Sequence, residues 1–234
     1  MKKFINYAHR GASEYAPENT LLSFYYGLTM GANGIETDVQ LTKDGVAVLF
    51  HDDTVDRVTD GKGKVSEFTL SELKKLWVSK NNLKDRIITF EDFLVHFKDF
   101  DLTFAIELKG DNTAKISADL LRKYGVVEKT VVTSFKLKEL IDLKTYAPEF
   151  TAGYLTDKVD DKILSTMNEI GITELCPIAD ILTKELVDSW HEKGFNVRAW
   201  GVTNQDLMIK AFTCGVDGMT VNFPDKLTDL LNNK

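Results

Sequence analysis

INYAHRGASEYAPENTLLSF, residues 5–24, opens as an apolar run of strand length, breaks at His9-Arg10-Gly11, and resumes after Pro17 as an amphipathic helix. The break puts a titratable ring and a permanent cation where a strand ends. Beyond this stretch the same alternation runs along the chain. Strand-like runs occupy 4–8, 34–39, 103–108, 130–135, 151–155, 173–178, 196–200 and 216–221. Amphipathic stretches lie between them at 18–32, 90–100, 112–125, 136–147, 161–171, 184–194 and 205–215. Many end in glycine after a lysine or another stop signal, as helix C-termini do. Eight strand-helix units in 234 residues point to a closed (β/α)8 barrel. An open doubly wound sheet is disfavoured, because no GxGxxG loop follows any strand.

One segment departs from the alternation. VAVLFHD (46–52) reads as an extra strand after the turn TKDG, so 34–52 resembles a long hairpin. Residues 53–86 are polar and turn-rich, with one short helix near LSELKKLW. They are expected to form a small insertion after the second barrel strand. In it Val65, Phe68, Leu70, Leu73, Leu76 and Trp77 would pack inward.

With 43% hydrophobic and 28% charged residues, the composition is that of a globular protein with a large core. No Pro/Ser/Gly linker or low-complexity run divides it, so 1–234 reads as a single domain. Two early lysines meet a histidine and an arginine before any apolar run, which argues against a signal peptide. No segment approaches the ~20 apolar residues of a membrane span. The expectation is a cytoplasmic protein without stable membrane association. Cys176 and Cys214 have neither CxxC spacing nor a nearby histidine, and read as small buried hydrophobes. A net charge of −7 argues against nucleic acid as a partner, since backbone binding needs clustered cations. Oligomeric state is not legible.

In a barrel of this kind reactive groups sit at the C-terminal ends of the strands. His9 and Arg10 end the first. Glu36 and Asp38 share one face of the second, and His51-Asp52 ends the hairpin. Glu107 and Lys109 repeat the period of two on the third. Each motif alone has a bland reading, as a satisfied histidine, a solvated edge or an exposed ion pair. Together they put charges inside otherwise apolar strands, where unpaired burial costs several kcal/mol. Glu36, Asp38 and Glu107 cannot converge without a cation, and ligands that are all oxygen favour Mg²⁺ or Ca²⁺. With Arg10, Lys109 and a divalent ion the net charge becomes +1, suited to a phosphodiester. His9 and His51 are candidates for dividing the proton work, while His96 and His191 fall in surface helices. Phe135 and Trp200 are possible pocket-wall residues. Pro17-Glu18-Asn19-Thr20 reads as a helix cap.

HRG followed by PENT, then GIETDVQLTKDGVAVLFHD, AIELKG and GVDGMTVNFPD, resembles the glycerophosphodiester phosphodiesterase family. The match runs from His9 to Asp225. The resemblance implies a TIM barrel with a small insertion after strand 2. It implies metal-dependent hydrolysis of glycerophosphodiesters to sn-glycerol 3-phosphate and an alcohol. It also implies that His9 and His51 are the acid/base pair, that Glu36, Asp38 and Glu107 hold the metal, and that Arg10 and Lys109 touch the phosphate. Asn222 stands where the family often has aspartate, and Ile88 where proline is usual; neither is expected to alter catalysis. The rival activity is that of a phospholipase C/D-type or lysophospholipase D hydrolase, which needs an exposed apolar or basic rim. A barrel that only binds phosphorylated ligands is less favoured, since all seven positions are intact.

Overall fold

The structure is a computed structural model that describes residues 3–233. In chain order its elements are β1 (Ile5–His9), α1 (Leu21–Thr29), β2 (Gly34–Leu41), β3 (Ala47–Leu49), α2 (Leu70–Leu73), β4 (Trp77–Lys80), β5 (Leu83–Arg86) and α3 (Phe90–Phe97). They continue with β6 (Thr103–Leu108), α4 (Ala114–Lys123), β7 (Thr130–Ser134), α5 (Leu137–Tyr146), β8 (Thr151–Thr156) and α6 (Asp161–Ile170). The last are β9 (Glu174–Pro177), α7 (Lys184–Glu192), β10 (Asn196–Val202), α8 (Gln205–Cys214), β11 (Gly218–Val221) and α9 (Pro224–Asn232).

Eight of the strands run parallel in the order β1-β11-β10-β9-β8-β7-β6-β2, and β2 pairs back to β1 to close the sheet. The expected (β/α)8 TIM barrel is thus present. β3 lies antiparallel on β2, as the 34–52 hairpin required. The helices begin where short polar side chains can accept from backbone N–H groups. Thr89, Asp160, Thr183 and Asn204 each take the N–H three residues on. Outside the sheet, Phe24, Phe93, Phe97 and Phe104 pack edge to face or tilted, with ring centroids 5.0–5.8 Å apart. Each such ring, fully buried, stabilises the fold by about 1.5–3 kcal/mol.

Register decides what fills the barrel. Tyr7 pairs with Gly34 and His9 with Glu36, while Asp38 pairs with Glu107. Alternate side chains therefore point to the axis. Below the mouth Arg198 donates to Glu174 at 2.7 Å and to Thr220 at 2.8 Å, and its guanidinium lies 5.1 Å from the Tyr7 ring centroid. A side chain at Gly34 would put its Cβ 2.7 Å from Tyr7 Cδ1, so the small residue makes room for the ring.

Residues 53–86 carry more structure than the sequence suggested. β4 and β5 form a two-stranded hairpin turned by Asn81 and Asn82, with φ of 50° and 65°. Val48, Phe50, Val55, Val65, Leu73, Val78 and Ile87 make a second core beneath it, with Phe68, Leu70 and Leu76 packed against them. Trp77 departs from the expected inward packing: it is 37% exposed, with the Arg86 guanidinium stacked on its ring at 3.3 Å. The hairpin grips the β1–α1 loop and the first turn of α1. Lys80 donates to the Ser13 carbonyl, Asn81 to that of Glu14, and Asp85 accepts from the Leu22 N–H. Among the described residues no helix is long and apolar enough to cross a membrane.

Candidate active site

The chain leaves β1 through a turn that only glycine permits. Arg10 and Gly11 have φ of 54° and 82°, and a Cβ on Gly11 would fall 2.4 Å from the Ser23 backbone. The left-handed Arg10 aims its N–H at the Glu36 carbonyl (2.9 Å) and carboxylate (3.2 Å). Its guanidinium reaches Glu18 at 2.9 Å and Asp38 at 3.2 Å.

Glu36, Asp38 and Glu107 converge, each buried, with one oxygen from each within 4.8 Å of the others. Burial and the Asp38 charge hold Glu107 up at about 7, and burial with both neighbouring carboxylates lifts Glu36 well above its ordinary range. Burial pushes Asp38 up too, but Arg10, His51 and the Asn19 amide outweigh it and leave this carboxyl below its ordinary value. The Asn19 amide donates to Asp38 at 2.9 Å and its carbonyl takes the Thr37 hydroxyl at 2.7 Å.

Two histidines flank the carboxylates. His9 Nδ1 lies 2.5 Å from the Asn222 carbonyl oxygen, which can only accept, so Nδ1 carries the proton and Nε2 faces Glu36 at 3.8 Å. Burial and then Arg10 hold the His9 ring below its ordinary pKa. At His51 both neighbours set the tautomer. Lys109 Nζ donates to Nε2 at 3.0 Å, and Asp52 accepts from Nδ1 at 2.6 Å. The Gln40 amide fixes this corner by donating to the carbonyls of Phe50, His51 and Asp52 at 2.8–3.1 Å. Arg57 ties the insertion in, reaching Asp52 at 2.5 Å and Glu18 at 2.7 Å. It helps to hold Asp52, which burial alone would raise, down at about 2.

His9, Arg10, Glu36, His51 and Glu107 line one cavity of about 240 Å³. Its other wall includes Leu155, Val202, Phe135 and Trp200, the last two edge to face at 4.8 Å. Both expected wall residues are there. Lys109 sits beside this cavity, 3.3 Å from Glu107. His96 and His191 lie elsewhere, bonded to Tyr25 and Asp217.

The sequence of residues 9–226 matches the glycerophosphoryl diester phosphodiesterase family. A glycerophosphodiester phosphodiesterase of Caldanaerobacter subterraneus subsp. tengcongensis is 34% identical, the match covering 98% of each chain. The chain belongs to this family. A second phosphodiesterase, from Bacillus altitudinis, is 30% identical over 94% of this chain and 95% of its own. The solved phosphodiesterase of Oleispira antarctica, in complex with its product sn-glycerol-3-phosphate, superposes with a TM-score of 0.90 at 26% identity, covering 97% of this chain and 96% of that one. As a member of the glycerophosphoryl diester phosphodiesterase family the protein is an enzyme, a phosphoric diester hydrolase.

Members of this family depend on a metal, and the residues here suit one. Three buried carboxylates converge, and Asp38 Oδ1 is buried with no hydrogen-bond donor among the described residues. An all-oxygen set of this kind fits a hard divalent cation.

Several residues of the family member's site escaped the sequence reading. Asn222, set aside as remote from catalysis, is the partner of His9 and is steadied there by the Ser13 hydroxyl at 3.0 Å. PENT does more than cap: Thr20 caps α1, but Glu18 and Asn19 hold Arg10 and Asp38. Gln40 lies within GIETDVQLTKDG but was given no role there, and Arg57 falls in no motif. The only signal at Gln40 was its place at period two from Glu36 and Asp38. With Glu18, Asp52 and Arg57 added, five carboxylates face three cations, so a divalent ion brings the larger cluster to neutrality rather than to +1.

Proposed function

We propose that the protein hydrolyses glycerophosphodiesters to sn-glycerol 3-phosphate and an alcohol, with Mg²⁺ or Ca²⁺ held by Glu36, Asp38 and Glu107. The observation that carries this reading is the placement of His9 and His51 in one cavity with Glu36 and Glu107. A divalent ion supplies Lewis-acid polarisation of a phosphoryl oxygen and eases ionisation of a bound hydroxyl or water.

The chain's own groups do the rest. Arg10, anchored by Glu18 and Asp38, presents a fixed fork to the phosphate, and Lys109 adds a point charge beside it. His9, with Nδ1–H held by Asn222, offers the Nε2 lone pair for proton transfer on one side. His51, oriented by Asp52, handles the proton at the other oxygen. The apolar wall of Leu155, Val202, Phe135 and Trp200 keeps water from the ester arm against it. A small soluble substrate fits better than a bilayer lipid, because most apolar side chains of 53–86 are used in their own core. Residues 1–234 then act as one domain, and the unpaired thiols of Cys176 and Cys214 suit the cytoplasm.

The test is to strip the protein with EDTA and supply glycerophosphocholine or glycerophosphoethanolamine with Mg²⁺, Ca²⁺ or no metal. Glycerol 3-phosphate is then followed with a coupled dehydrogenase. Release only with metal is the expected result. Release without metal overturns the metal-dependent reading, and cleavage of lysophospholipid alone would favour the lipid-directed rival.

A further inference from the structure

A second cavity, of about 360 Å³, opens on the same end of the barrel between the insertion and the loops after β6 and β7. Lys64, Lys109 and Lys136 line it, with Asp53 and Asp111 as the acidic members. Lys109 lines this second cavity while donating to His51 Nε2 of the first at 3.0 Å and lying 5.7 Å from the Phe135 ring centroid. Phe135 belongs to the wall of the first cavity and Lys136, the next residue, to the second.

A phosphodiester has two ester arms. A phosphorus set beside His51 and Lys109 would leave one arm to lie along the apolar wall of Leu155, Phe135 and Trp200, and the other to run past Lys109 toward the lysine-lined space. Lys109 is already set against Glu107 at 3.3 Å, so the charges left to that space are Lys64 and Lys136 against Asp53 and Asp111. Lys64 has no ion-pair partner among the described residues. Lys136 is paired only with Asp111, at 2.7 Å, in a contact whose side chains are 48% and 79% exposed. An exposed pair of this kind contributes little and exchanges readily for a stronger anion.

We propose that this cavity is an anion subsite for the second ester arm, so that the preferred substrates carry a further phosphate or comparable anionic group on the alcohol. Lys64 and Lys136 hold that group, and neither takes part in the chemistry. The proposal rests on the hydrolytic reading of the adjoining site.

Two diesters separate the possibilities: glycerophosphoglycerol, and the same compound with a phosphate on its outer glycerol. The holoenzyme should show a KM about tenfold lower for the phosphate-bearing diester, with similar kcat. The exposed Lys64→Gln and Lys136→Gln variants should each raise that KM about threefold to tenfold and leave kinetics on glycerophosphoglycerol unchanged. Added salt should erode the preference in the wild type. Equal KM values in the wild type, or an equal loss on both substrates in the variants, would overturn the subsite. If neither diester is cleaved, the hydrolytic reading fails, and calorimetry with the same two compounds judges the subsite separately. Lys64→Gln must then weaken binding of the phosphate-bearing diester alone, and unchanged binding overturns the subsite.

Discussion

Metal affinity should depend steeply on pH, and the structure sets the size of the effect. In the metal-free cluster Glu107 is lifted to about 7 by burial and by Asp38. Below that value an arriving cation must displace a proton, because a protonated carboxyl is a poor ligand. At pH 8 the group is nearly all ionised, whereas at pH 6 the competing proton weakens binding about tenfold, or about 1.4 kcal/mol. Glu36, raised as well, adds to this factor. Calorimetric titration of EDTA-stripped protein with Mg²⁺ or Ca²⁺ at pH 6, 7 and 8 should show Kd falling about tenfold or more across that range. The heat should vary with the ionisation enthalpy of the buffer at pH 6 and much less at pH 8. Glu107→Gln should bind more weakly at pH 8 and lose much of the pH dependence. A Kd constant within about twofold from pH 6 to pH 8 would refute the reasoning, since it would mean that these carboxylates hold no proton in the empty cluster.

Three further outcomes are expected. His9→Ala and His51→Ala should each lower kcat by about 10²–10⁴-fold with unchanged circular dichroism, and near-normal turnover in either would remove that residue from proton transfer. Arg57→Ala should cost under about 1 kcal/mol in denaturant unfolding, because its side chain is 49% exposed, while kcat falls about tenfold as Asp52 loosens on His51; a large stability loss with normal kcat would make it a purely structural residue. Glu139 is buried and accepts from the N–H groups of Asn112, Thr113 and Ala114 at the start of α4. Glu139→Ala should cost about 2–3 kcal/mol and lower Tm by about 4–12 °C in a thermal scan.

The barrel strands and the seven helices between them were legible because their apolar spacing has one meaning. A run such as TFAIEL cannot be solvated, and a carboxylate inside it needs a reason. The same logic brought out Glu36, Asp38 and Glu107 and, through strand ends, both histidines. The β4–β5 hairpin was not legible, since WVSKNNLKDR buries little on either face and only Asn81-Asn82, a pair tolerant of positive φ, marks its turn. α9 (Pro224–Asn232) is not among the helices expected from the sequence. Asn222 and Arg57 were missed for another reason. Their meaning lies in contacts across 213 residues to His9 and across 39 residues to Glu18, and no local pattern encodes such a partner.

The insertion reaches the first loop of the chain at three points, Arg57 to Glu18, Lys80 to Ser13 and Asn81 to Glu14, and the first turn of α1 at a fourth, Asp85 to Leu22. Each of those partners belongs to the 5–24 stretch that carries His9 and Arg10. During synthesis, then, the earliest βα connection cannot take its final shape until residue 86 has emerged and the hairpin has closed. Catalytic competence comes later still, because Glu107 and the Asn222 that holds His9 both follow the strap in the chain. A protease cut in 53–86 would accordingly silence the enzyme while sparing the barrel.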